Sequence, residues 1–174
     1  MPLFIDGARL GYAMTATSND VTLEDIARIA DVFYIGGTKV GAMFGEAVVF
    51  THGNMPKNFV TLVKQHGALL AKGWLLGVQF DTLFTDNLYC RIARRANDAA
   101  DRIREVLVER GYTLTFDAPT NQIFITLDNE TSERLQRSVR LGFMEKADDT
   151  HTVMRICTSW ATTDEQVEQL IALL

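Results

Sequence analysis

Apolar residues follow two rhythms along this chain of 174 residues. In the first half they come as short unbroken runs. Phe4-Ile5 leading into Asp6 reads as a short buried strand, Val32-Phe33-Tyr34-Ile35 as a second, and residues 46–50 as a third. Between the first two, Thr22 is placed to cap a helix, with Asp25 three residues on as its capping-box partner, and the helix runs to about Ala30. Strand, helix, strand is the pattern of a parallel α/β layer. The third strand follows a glycine-containing turn and is expected to run antiparallel. Pro56 suits the first turn of a helix. Helical spacing then extends to about Phe84, interrupted at Gly67, Gly73 and Gly77. Asn87 is a candidate cap for a further helix that stops at Gly111. One face of that helix is apolar (Ile92, Ala96, Ala99, Ile103, Leu107) and the other is rich in arginine and aspartate.

Beyond Gly111 the rhythm changes. Residues 112–116 and 122–127 read as strands around a Pro119-Thr120-Asn121 turn, 131–141 as a helix and 153–158 as a strand. Thr163 caps a final helix, with Gln166 three residues on. This is the pattern of a small α+β unit with an antiparallel sheet. The expected division is 1–85 and 86–174.

A hydrophobic content of 47% supports a real core. The net charge of −5 argues against a nonspecific nucleic-acid binder. Cys90 and Cys157 have neither metal-ligand spacing nor a disulfide framework, and both read as core residues. No metal site is expected. Met1 opens into a strand rather than a secretory leader, and no apolar stretch is long enough to span a bilayer. These features make the reducing cytoplasm the default location.

The chemistry-bearing residues sit where the runs end. Asp6 closes the first and is followed by Gly7-Ala8-Arg9. Lys39 follows the second through Gly36-Gly37-Thr38. An aspartate and a lysine at the ends of neighbouring buried strands suit pyridoxal phosphate (PLP): the lysine forms the Schiff base and the carboxylate pairs with the ring nitrogen. Ligands collect at the carboxyl ends of strands in such sheets, and glycines there let backbone approach a flat cofactor. A lone Gly-Gly-Thr-Lys is more often an ordinary turn, and an aspartate before glycine is often a turn cap.

Four segments in order, IDGARLGYAM, GGTKVGAMFGEAVVF, LVKQHGALLAKG and MRICTSWATTDEQVEQL, resemble the low-specificity L-threonine aldolases. These lie within the aromatic amino acid β-eliminating lyase/threonine aldolase group of fold-type-I PLP enzymes. The resemblance covers the whole chain but only the C-terminal half of the family, whose members are about twice as long. It implies an α/β fold: the C-terminal part of the PLP-binding major domain, followed by a small α+β domain. It implies retro-aldol cleavage of threonine or allo-threonine to glycine and an aldehyde, with PLP as cofactor, a small amino acid as substrate, and a homodimer or homotetramer. Lys39 matches the catalytic lysine. Asp6 and Arg9 match residues beside the cofactor ring. Lys64 and Lys72 match a region facing the phosphate, and Arg155 matches the arginine holding the substrate carboxylate, for which Arg9 is also a candidate. Thr38, beside Lys39, is a candidate phosphate donor, with a turn residue satisfying local backbone as its alternative. A solvated helix face is an equal reading for Lys64 and Lys72, and a buried ion pair is the alternative for Arg155. The family's ring-stacking group, most of its phosphate cup and its proposed catalytic histidines belong to the other half, so His66 is given no role. His52 and His151 read as surface residues. Little or no aldolase activity is therefore expected from this chain alone. Another PLP-dependent β-eliminating lyase or aminotransferase of the same fold, or a noncatalytic remnant, is the alternative.

Overall fold

A computed structural model describes all 174 residues. They form two compact units, residues 1–14 with 19–92, and residues 15–18 with 93–174.

The first unit contains β1 (Phe4–Ile5), α1 (Leu10–Met14), α2 (Leu23–Ile29), β2 (Val32–Gly36), a 3-10 turn at Thr38–Val40, β3 (Glu46–Phe50), α3 (Phe59–Gln65) and α4 (Trp74–Phe84). Its sheet has the order β1-β2-β3. β1 is parallel to β2, and β3 is antiparallel to it. The α2 capping box forms as the sequence indicates, with Thr22 accepting from the Asp25 amide at 3.1 Å. Two expectations need correction. First, β1 is not buried: Phe4 is 60% exposed and Asp6 is also exposed. β1 is an edge strand with a neighbour on one side only, so its apolar character does not translate into burial. Second, of the interruptions expected over residues 56–84, those at Gly67 and Gly73 separate two helices, but the one at Gly77 does not occur. Gly67 adopts φ 69°, and the bonds Gly67 N–H to Lys64 O and Ala68 N–H to Val63 O close α3 as a Schellman motif. Pro56 sits in the turn before α3, and Gly77 lies inside α4 without interrupting it.

α5 (Leu88–Glu109) starts after a second 3-10 turn, Thr85–Asn87. Asn87 does not cap it in the usual extended conformation, because Asp86 and Asn87 both have positive φ. Gly111, at φ 79°, is the left-handed stop that the sequence indicates.

The second unit takes in most of α5, then β4 (Thr113–Leu114), β5 (Gln122–Asp128), α6 (Asn129–Gln136), β6 (Gly142–Lys146), β7 (His151–Cys157) and α7 (Asp164–Leu173). The sheet order is β4-β5-β7-β6, antiparallel throughout. Ala99, Ile103 and Leu107 of α5 pack with Ile123, Ile125 and Leu127 of β5, Met154 and Ile156 of β7, and Val167 of α7 in one core. α6 ends at Gln136 rather than running to 141, and β6 was not expected at all. Cys157 is exposed and Cys90 half-buried, so neither is a core residue. In β7, Cys157 falls on the face opposite the core residues Met154 and Ile156 at the strand's end, where nothing covers it. No helix is long and apolar enough to cross a membrane.

Candidate active site

The ends of β1 and β2 meet through backbone. The Gly36 amide donates to the Gly7 carbonyl at 2.9 Å, and the Leu10 amide donates to the same oxygen at 3.0 Å to open α1. Glycine is needed on both sides of this junction. A Cβ on Gly7 would lie 1.6 Å from the Tyr34 carbonyl oxygen, and one on Gly36 would lie 2.6 Å from the Ala8 carbonyl oxygen. A Cβ on Gly37 would lie 2.9 Å from the Gly45 carbonyl oxygen. These glycines therefore let protein backbone approach protein backbone. That close packing brings the Asp6–Arg9 segment against the lysine turn.

Asp6 is held by two hydrogen bonds from the protein. In the parallel register Phe4 pairs with Val32 and Ile5 with Phe33, so Asp6 continues alongside Tyr34. The Tyr34 hydroxyl donates a hydrogen bond to Asp6 Oδ1, and the Ala8 amide donates to the same oxygen at 2.9 Å. These two bonds hold the carboxyl below its usual range, with the positive charges of Lys39 and Arg9 adding to the effect. The same bond to Asp6 pushes the Tyr34 phenol up to about 12.

Lys39 lies half-buried in the 3-10 turn, with exposed Thr38 before it and buried Val40 after it. Its carbonyl accepts from the hydroxyl of Tyr12, which is fully buried. Buried Tyr89 spans the junction: it accepts from the Gly11 amide at 3.0 Å and donates to the Gly36 carbonyl at 2.9 Å. Glu46 Oε2 accepts from the Gly37 amide at 3.2 Å. Arg9 is half-buried, and its Nε has no hydrogen-bond partner in the protein. A buried guanidinium nitrogen without an acceptor is a place for an anion.

Asp6, Arg9, Thr38 and Lys39 thus gather at one junction of the first unit. Eight residues apart, Lys64 and Lys72 would fall roughly on one face of a continuous helix, but they do not share one. Lys64 ends α3, Lys72 precedes α4, and the Gly67 reversal separates them. Both are exposed and neither forms an ion pair. Arg155 is in the second unit, on β7 opposite Phe124 of β5 and Gly142 of β6. It is not in an ion pair. One terminal nitrogen donates to Gln122 Oε1 at 3.2 Å, and its Nε is buried without a partner. A Cβ on Gly142 would lie 3.5 Å from that Nε, an ordinary van der Waals contact. His66 and His52 are exposed, while His151 is half-buried and bonded to Asp148.

The sequence reading missed Tyr12, Tyr34, Tyr89 and Glu46. A signal for Tyr34 was present: a phenol in an otherwise apolar strand needs a hydrogen-bond partner, and Asp6 lies on the neighbouring strand. Tyr12 and Tyr89 become visible only once α1 and α5 are folded around the junction.

No family model matches the chain. It is 28% identical over 169 residues to the low specificity L-threonine aldolase of Pseudomonas aeruginosa, covering 97% of this chain and 48% of that protein. To the enzyme of the same name from a Pseudomonas species it is 29% identical over 174 residues, covering 49% of that protein. The structure of Leishmania major threonine aldolase superposes with a TM-score of 0.95 at 40% identity, covering 99% of this chain and 51% of the other. Serine palmitoyltransferase of Sphingomonas wittichii matches at a TM-score of 0.66 and 17% identity, which speaks to the fold alone. The chain spans about half the length of the relatives it matches. Over its whole length it is similar in sequence and fold to the C-terminal half of the threonine aldolases, and its fold is that part of a fold-type-I architecture.

Proposed function

We propose that this chain supplies the lysine-bearing half of a PLP-dependent threonine aldolase, which cleaves 3-hydroxy amino acids to glycine and an aldehyde. The carrying observation is the junction that gathers Asp6, Arg9 and Lys39 beside one another. The residues fit the cofactor. Asp6 accepts both its protein hydrogen bonds on Oδ1, which leaves Oδ2 for a protonated ring nitrogen. Arg9 offers an unpartnered buried donor. Lys39 would carry the covalent link, and Thr38 would donate to the phosphate. When bound, the cofactor supplies an electron sink for the bond being broken.

The remaining work falls to side chains. Arg155 would bind the substrate carboxylate, a reading supported by its Nε having no partner in the protein. A guanidinium fork orients a carboxylate through two bonds, which favours one conformation of the bond to be cleaved. Arg9 is the second candidate for that carboxylate. Lys64 and Lys72 remain candidates for the phosphate, brought there from separate elements. A small amino acid is the substrate, and the enzyme works as a homo-oligomer in the cytoplasm. The exposed apolar residues of α3 and α4, among them Val60, Leu62, Trp74 and Val78, support self-association. Aldolase turnover by this chain alone is expected to be very low.

The test is the visible absorbance of purified chain with added PLP, before and after borohydride, beside a Lys39→Ala variant. A band fixed by reduction and lost in the variant supports the reading. No band in the unaltered chain refutes cofactor binding by this half.

A further inference from the structure

The Tyr34–Asp6 pair has a consequence for the site that goes beyond its chemistry class and rests on the reading of it as a PLP site. Asp6 is exposed at the end of an edge strand, and an exposed carboxylate ordinarily rotates freely. Here two donors from different elements converge on one of its oxygens: the Tyr34 hydroxyl from β2 and the Ala8 amide from the following turn. Tyr34 is itself held in place. Its strand is paired on both sides, and its ring lies 6.1 Å from that of Phe4.

We propose that Tyr34 is a positioning residue: by donating to Asp6 Oδ1 it fixes the carboxylate plane and presents Oδ2 as the one oxygen available to a protonated heteroaromatic nitrogen. A carboxylate fixed by two donors does not have to be ordered when the ring arrives, so less of the binding free energy is lost to ordering. The same bond also lowers the Asp6 carboxyl below its ordinary value. Lys39 and Arg9 face Asp6 with positive charge, and Glu46 faces the Tyr34 phenol with negative charge. The phenol is the one neutral donor side chain in this group.

The experiment is carbon-13 NMR titration of the Asp6 carboxyl in the unaltered chain and in Tyr34→Phe, without cofactor, followed by PLP titration of both. Phenylalanine keeps the ring packing against Phe4 and removes only the hydroxyl. Asp6 should titrate at higher pH in the variant, and PLP should bind about tenfold more weakly, the loss expected for one hydrogen bond to a charged group. In Asp6→Asn, the Tyr34 phenol should return from about 12 toward 10.0. An unchanged Asp6 titration overturns the proposal, as does equal PLP affinity in the two chains. If Asp6 shifts but the unaltered chain takes up no PLP, the cofactor reading fails and the role toward the ring falls with it. That result is distinguishable, because the hydrogen bond is measured without cofactor.

Discussion

The Gly7→Ala substitution tests the junction that organises the site. Its added methyl would sit 1.6 Å from the Tyr34 carbonyl oxygen, whereas ordinary contact begins at 3.4 Å, 1.8 Å farther out. Both atoms belong to hydrogen-bonded backbone, so no flexible side chain can yield. Separating the strands strains or breaks the Gly36-to-Gly7 bond and pulls Tyr34 away from Asp6. Overpacking against backbone costs about 1–3 kcal/mol and loss of the Gly36-to-Gly7 bond about 1 kcal/mol, giving roughly 2–4 kcal/mol in all. That is a large share of a domain's margin of about 5–15 kcal/mol. Trp74 lies in the first unit and Trp160 in the second, so fluorine NMR of 5-fluorotryptophan-labelled protein in urea follows each unit separately. The Trp74 midpoint should fall sharply. Gly77→Ala is the control: its Cβ meets nothing within 4 Å in α4, and it should stabilise by about 0.5–1 kcal/mol. A Gly7→Ala chain with an unchanged Trp74 midpoint would refute the reasoning.

Three further outcomes are expected. Tyr89→Phe removes the bonds to Gly11 and Gly36 and should cost about 2 kcal/mol in urea unfolding. Burial also raises the Tyr89 phenol, so its contribution is fully present below pH 10.0 and is lost as pH rises beyond that. The variant should therefore show a flatter alkaline stability profile. Thr163→Ala opens the α7 capping box and should lower the stability of the second unit by about 1 kcal/mol, read at Trp160. The Thr150 amide and hydroxyl, with His151, hold Asp148 below its ordinary 3.8. Its contribution is present above that pH and fades as pH falls below it, and Asp148→Asn should flatten the acid limb of the stability curve.

Elements with strong local signals could be read directly from the sequence. The capping boxes at Thr22 and Thr163 name their own hydrogen bonds, and both helices start where those residues say. β2, β3, β5 and β7 are runs long enough to stand out. β6 was missed because Gly142-Phe143-Met144-Glu145-Lys146 neither alternates nor forms an apolar run, and four of its five residues are exposed. A register shift between Phe143 and Glu145 removes what alternation there was. Asp6 and Lys39 stood out because each ends an apolar run. The tyrosines that fix them did not, because Tyr12 and Tyr89 meet the junction only through chain reversals that no local spacing encodes.

The two units also differ in how far hydrophobicity predicts burial, and the reason is architectural. In the second unit a four-stranded antiparallel sheet has one face against helices, so alternation along β5 maps directly onto its burial. In the first unit a parallel edge strand and two helices with little or nothing buried carry the same kind of residue to the surface. α3 buries none of its residues and α4 only Leu83, although both are rich in Val, Leu and Phe. Sequence patterning reports which surfaces need covering, not whether this chain covers them. Asp6 lies at that uncovered margin, yet its geometry is set from within by Tyr34 and Ala8. The orientation of the carboxylate should therefore persist in the isolated chain, even where cofactor affinity depends on surfaces outside it.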